Sequence, residues 1–226
     1  MPEPRDTYRH GDLRRAVLRA SIDLIEKEGL GALSLREVAR RIGVTHGAPY
    51  HHFPDKASLL RAVAEEGFAA LARSMAKDLD AASDPLARLQ ACGLGYVKFA
   101  LENPGTFRLM FRPELTGIQG TDVPRPVLEA WETLVDAVER CQSAGLAPAP
   151  PAAPARTLAN LCWSTVHGLA TLWLDRPLRP GATGEGTDAP RGLELATEVT
   201  TLLNSLLAAA SAGSPVQPVD GRNPSR

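Results

Sequence analysis

Between Ser34 and Lys56 the chain reads SLREVARRIGVTHGAPYHHFPDK, and the helix punctuation of this stretch limits the folds open to it. Ser34-Leu35-Arg36-Glu37 has the form of a capping box, in which the serine oxygen accepts a backbone amide and the glutamate side chain reciprocates. It opens a short helix with Leu35, Val38, Ala39 and Ile42 on one face. Gly43-Val44 makes a tight turn, and Thr45 suits the N-cap of a third helix running from about His46 to Phe53. Pro54 stops that helix, and Asp55 caps a fourth beginning near Lys56. Two short helices joined by a three-residue turn are the signature of a helix-turn-helix. Upstream, Leu13, Val17, Ala20 and Leu24 recur at helical spacing, Leu18, Ile22 and Ile25 widen the stripe, and Gly29 closes the first helix.

The rest of the chain repeats the helical pattern. The fourth helix is expected to run to about Leu79, with further helices over 85–102, 104–111, 126–144, 153–175 and 192–211. Asn103-Pro104 separates the fifth from the sixth, because the residue before proline avoids the helical region. Residues 113–125, 147–154 and 177–190 read as loops from their composition. Ala, Leu, Arg and Glu outweigh Val and Ile, which favours helix over strand. The expected fold is all-α with about nine helices. A three-helix helix-turn-helix domain takes residues 1–55, beginning with a flexible arm at 1–9. A helical ligand-binding and dimerisation domain takes 56–212, and 213–226 forms a disordered tail rich in Pro, Gly and Ser. At 226 residues the chain is long enough for a sizeable apolar core.

The three cysteines, Cys92, Cys141 and Cys162, are odd in number and widely spaced, with no CxxC pair. That argues against a disulfide framework or a zinc knuckle and for a reducing cytoplasm. The first fifteen residues lack the apolar segment of a signal peptide, and no run approaches the roughly 18 apolar residues of a membrane helix. No cofactor, metal or membrane partner is expected. Net charge is −1, but residues 1–61 hold 11 basic against 8 acidic side chains and the remainder is acidic. A mildly basic head on an acidic body suggests nucleic-acid contact confined to the head, although a solvated face has the same look.

Three of the five histidines, His46, His51 and His52, crowd into Val44–Lys56. A metal site would need ligands on one face, yet His51 and His52 are adjacent and His46 stands four residues from neither. A catalytic dyad would need a nucleophile and an orienting group that the stretch does not supply. Burial can account for one of the three, since so short a helix hides one side only. Contact with DNA explains the set best. Imidazole both donates and accepts, tyrosine adds a hydroxyl and a ring, and the small Gly47 and Ala48 let the backbone approach a groove. Phe53 is expected to be core.

The head resembles the DNA-binding domain of the tetracycline-repressor (TetR) family. The matching pieces are a first helix ending in Glu28-Gly29, then Leu33-Ser-Leu-Arg-Glu-Val-Ala-Arg-Arg-Ile-Gly-Val-Thr45, Tyr50-His-His-Phe-Pro-Asp-Lys56 and Leu59-Leu60. The resemblance implies base contacts from His46, Gly47, Tyr50 and His51 and phosphate contacts from Thr45, His52 and Lys56. Ser34 can touch phosphate as well, though capping alone accounts for it; Arg5 and Arg9 can follow the minor groove or form a plain solvated tail. One departure is Pro49, where the family usually carries leucine. As the fourth residue of the expected helix it removes only the first intrahelical bond, so it bears on the start and pitch of that helix.

In the body, Phe99-Ala-Leu-Glu-Asn-Pro104, Phe107-Arg-Leu-Met-Phe111 and Trp163-Ser-Thr-Val-His-Gly168 resemble a TetR C-terminal subfamily named for its Trp-His-Gly motif. The resemblance implies a homodimer formed by the last two helices and a sensor for an apolar or aromatic effector. Cavity candidates are Phe99, Phe107, Met110, Phe111, Trp131, Trp163 and His167, each of which ordinary core packing would also explain. The expected function is a cytoplasmic regulator, a repressor by family default, that binds a palindromic double-stranded operator as a homodimer and is released by its effector. It is not expected to be an enzyme. Two rivals remain open: a helix-turn-helix module that binds only protein, and a small helical enzyme using His167 with Cys162 or Glu102.

Overall fold

The structure, a computed structural model, describes residues 10–150, 152–175 and 188–212. The expected arm at 1–9, the tail from 213 and most of the 177–190 loop lie outside them. The described residues form nine α-helices: α1 (His10–Glu28), α2 (Leu35–Ile42), α3 (Lys56–Ala76), α4 (Pro85–Glu102), α5 (Pro104–Met110), α6 (Pro113–Thr116), α7 (Arg125–Ser143), α8 (Ala155–Leu174) and α9 (Ala189–Ala212). Two 3-10 turns cover Leu30–Ala32 and Ala48–His51. Among the described residues there is no β-strand beyond a single isolated bridge between Gln119 and Asp122.

The fold class and helix number agree with the sequence reading, but the membership of the nine differs. The expected third α-helix over 46–53 is a 3-10 turn over Ala48–His51, and α6 rises inside the segment read as a loop. Proline explains the first difference. Pro49 has no amide hydrogen, so the carbonyl four residues back, at Thr45, gains no helical donor from it. Thr45 instead accepts from Ala48 at 3.0 Å, Gly47 from Tyr50 at 3.2 Å and Pro49 from His52 at 3.0 Å, an i→i+3 pattern that gives way to i→i+4 only where Phe53 also donates to Pro49. Gly47 takes the cap position, and no side chain caps the turn, so Thr45 is not its side-chain cap.

The chain divides into two compact units, one of Met1–Ala70 with Glu102–Leu128, the other of Leu71–Leu101 with Glu129–Arg226. In the first, Val17, Leu24, Ile25, Leu33, Val38, Phe53, Leu59 and Val63 form the core. Local chemistry sets the ends of its helices. Ser34 Oγ accepts the Glu37 amide at 3.1 Å, as a capping box requires, but the Glu37 carboxylate turns to Arg40 (2.6 and 2.9 Å) and Arg41 (2.9 Å). These guanidinium hydrogen bonds, Arg40 first and Arg41 second, hold the Glu37 carboxyl down at about 2. Arg41 also pairs with Glu28. Gly43 closes α2 with φ 73°, and Val44 donates to Ala39 at 3.1 Å, the Schellman pattern. The reciprocal box sits at α3 instead: Ser58 N donates to Asp55 Oδ1 at 2.7 Å and Asp55 N to Ser58 Oγ at 3.3 Å.

Helix α5 belongs to this first unit. The Glu26 carboxylate accepts the amides of Gly105 (2.9 Å) and Thr106 (2.7 Å), satisfying two free donors at the start of α5. Phe107 stacks edge-on with Phe111, and Phe111 with Phe68.

The second unit joins α4, α7, α8 and α9 with the end of α3. Its core holds Cys92, Tyr96, Val97, Ala137, Val138, Ala159, Ala170 and Ala196. Gln90 Nε2 donates to Thr201 Oγ1 (2.8 Å) and Thr200 Oγ1 (3.2 Å), and Asn204 Nδ2 to the Leu86 carbonyl (2.9 Å), tying α4 to α9.

Candidate nucleic-acid interface

The 3-10 turn is anchored from below. Pro49 is fully buried and Phe53 is 2% exposed, and the Phe53 amide donates to the Pro49 carbonyl at 2.9 Å. With residues 49 and 53 drawn inward, Tyr50 (49% exposed) and His51 are left facing outward. His46, Thr45, Ser34 and Lys56 are exposed as well, while Gly47 and His52 are half-buried. Gly47 has nothing within 4 Å of the space its Cβ would fill, so its backbone is open to close approach. All eight expected contact residues therefore reach the surface, seven of them within Thr45–Lys56 and Ser34 at the start of the neighbouring α2. Among the described residues no group of three or more His, Cys, Asp or Glu side chains is placed to hold a metal ion. Helix α1 flanks the turn, and the Arg14 guanidinium carbon lies 5.4 Å from the centre of the Phe53 ring.

The seven effector candidates fall in both units. Phe107, Met110 and Phe111 lie in the first, where Met110 and Thr106 crowd Gly67 so closely that a Cβ there would stand 2.6 Å from the Met110 sulfur. Phe99, Trp131, Trp163 and His167 lie in the second, where Trp131 and Trp163 meet edge-on at 6.2 Å. Trp163 lines a cavity there together with Met75, Gln90, Cys92, Tyr96, Leu134, Cys162, Val166, Thr200 and Asn204. The lining carries no charged side chain, and its volume of ≈ 20 Å³ has room for about one water.

Beside this cavity is a group the sequence did not disclose. Trp163 Nε1 donates to the Tyr96 hydroxyl at 3.3 Å, and Tyr96 Oη lies 2.7 Å from His167 Nδ1. Burial raises the Tyr96 phenol well above the usual tyrosine range and lowers His167, so both stay neutral near pH 7. No local signal marks Tyr96, since its partners are far along the chain. Burial also pushes the Cys162 thiol up to about 11 and Cys92 up to about 12, which suits neither as a nucleophile.

Two family models account for most of the chain. Residues 17–63 match "Bacterial regulatory proteins, tetR family", and residues 89–189 match "Tetracyclin repressor-like, C-terminal domain". The chain belongs to the TetR family. It thus carries the helix-turn-helix DNA-binding head of that family's transcriptional regulators. Among solved structures, this TetR-family chain is similar to a Rhodococcus sp. RHA1 protein of unknown function. The two share 30% identity and a TM-score of 0.72, over 91% of this chain and 98% of that one. A TetR-family transcriptional regulator from Pectobacterium atrosepticum shares its fold at TM-score 0.65 and 22% identity, over 87% of this chain and 94% of that one. The nucleoid occlusion factor SlmA of Vibrio vulnificus is 32% identical over 98 residues, 43% of this chain; the chain spans about half the length of the curated relatives it matches.

Proposed function

We propose that this TetR-family regulator binds a palindromic operator as a homodimer in the cytoplasm. It reads bases through the Ala48–His51 turn and acts as a repressor released by a small apolar or aromatic effector. The observation that carries the reading is the outward presentation of Tyr50 and His51 on a turn pinned by the buried Pro49 and Phe53. His46, Gly47, Tyr50 and His51 are assigned to base edges, and Ser34, Thr45, His52 and Lys56 to phosphates.

Dimerisation is supported by the surface of the second unit. Leu161 and Leu172 of α8 and Leu202 and Leu206 of α9 are 47–67% exposed, and α8 and α9 pack together. Burying such a side chain is worth about 1.5–3 kcal/mol, so four per protomer can outweigh much of the cost of association. The heads of the dimer then address half-sites about 34 Å apart, or a longer multiple. Effector binding is assigned to the cavity beside Trp163 and Tyr96, in the part of the chain that resembles the Trp-His-Gly subfamily. At ≈ 20 Å³ the cavity is too small for such an effector, since small-molecule pockets measure about 300–1,000 Å³. Release therefore requires the helices around it to separate, and the effector must prefer that open state.

A gel shift with duplex DNA from upstream of the protein's own gene tests this reading. A sequence-specific shift that weakens with salt is expected. Equal affinity for a scrambled duplex, or no shift at low salt, would overturn it.

A further inference from the structure

We propose that Arg14 is a phosphate clamp, its guanidinium laid on the ring of Phe53 so as to grip the DNA backbone beside the recognition turn. The proposal rests on the DNA-binding reading above and adds a contact residue on α1, outside the helix-turn-helix.

Phe53 lies two residues past the turn and is tied to it through the Pro49 carbonyl, so a side chain held on its ring is held in the frame of the turn. Arg14 is exposed, and among the described residues its guanidinium has no carboxylate partner. Other arginines of this unit are differently employed: Arg40 binds Glu37, Arg41 binds Glu28 and Glu37, and Arg61 binds Glu65 and Asp122. A guanidinium over an aromatic face keeps its N–H edge open, and that planar fork matches two phosphate oxygens. The cation–π contact with the ring also orders the side chain before DNA arrives, which lowers the entropy lost on binding. Lys56, on the far side of Phe53 in sequence, provides a point charge without this preorganisation.

The test uses the full chain and a duplex that the wild-type protein enriches from a random-sequence pool, with affinity measured between 50 and 200 mM salt. R14Q is expected to bind several-fold more weakly. Its log–log salt slope should be shallower by about 0.9, so the wild-type advantage shrinks about threefold across that range. R14K is expected to keep the slope yet remain weaker than wild type, because an ammonium makes no fork. Unchanged affinity in R14Q, a loss with an unchanged slope, or wild-type affinity in R14K would each overturn the clamp. Thermal unfolding is followed in both variants, and if R14Q is destabilised the R14K affinity decides. A wild-type protein that enriches no duplex overturns the DNA-binding reading and the clamp with it; wild-type enrichment with an indifferent R14Q overturns the clamp alone.

Discussion

The hydroxyl of Tyr96 sits 2.7 Å from Nδ1 of His167 and takes the indole hydrogen of Trp163 on its other side. The indole can only donate, whereas a neutral imidazole accepts from the phenol or donates to it according to which ring nitrogen carries the proton. Burial lowers the His167 pKa in the folded state. Below the unfolded value of about 6.5 the unfolded chain takes up a proton that the folded chain resists, so the fold loses stability as pH falls and gains none above neutrality. Thermal unfolding from pH 7.5 to 5.5 is expected to show a falling midpoint in the wild type and a flatter profile in H167N. Parallel profiles would remove His167 from the account.

Tyr50 is half-exposed and outside the core, so Tyr50→Ala is expected to shift unfolding by no more than about 0.5 kcal/mol. On the proposed function it nevertheless abolishes operator binding. Lys56→Gln should weaken binding to every duplex alike and make the salt slope shallower by about 1. Wild-type operator affinity in the tyrosine variant would sink the base-contact assignment.

Leu202 and Leu206 are the most exposed leucines among the large apolar side chains described. Replacing both with glutamate is expected to leave each protomer folded and to convert a dimer into a monomer at micromolar concentration. Sedimentation of wild type and variant checks this, and a wild type that sediments as a monomer would refute the dimer.

Gly95 lets α4 press against the end of α3. A Cβ there would stand 2.3 Å from the Ser74 carbonyl oxygen and 2.8 Å from the Met75 Cα, backbone atoms that cannot rotate away. Gly95→Ala is therefore expected to cost about 1–3 kcal/mol through overpacking, although alanine is the better helix former. Urea unfolding measures it, and a stabilised variant would contradict the close approach.

Much of the head was legible because its signals are local. Ser34 caps α2, Gly43 closes it with a left-handed backbone, and Asp55 caps α3, each through atoms within a few residues. Phe53 is buried as its place in the pattern implies. The third helix departs from the sequence expectation because apolar period and capping residues do not distinguish a proline that removes one bond from one that resets the turn to i→i+3. Thr45 consequently lends its backbone carbonyl and not its side chain. The grouping of Phe107, Met110 and Phe111 with the head was equally hidden, since it depends on Glu26 of α1 accepting amides about 80 residues away.

From the amino-acid order alone came the all-helical class, most helix ends and the surface stretch Thr45–Lys56. Helical periodicity and capping act over one or two turns and are written directly in neighbouring residues. Tertiary packing decided the rest. It set the 3-10 form of the recognition turn on its Pro49 and Phe53 anchors, laid Arg14 over Phe53, gathered Tyr96, Trp163 and His167, and shrank the cavity beside them to the size of a water. Those features join atoms distant in sequence, and only the packed chain brings such atoms within bonding range.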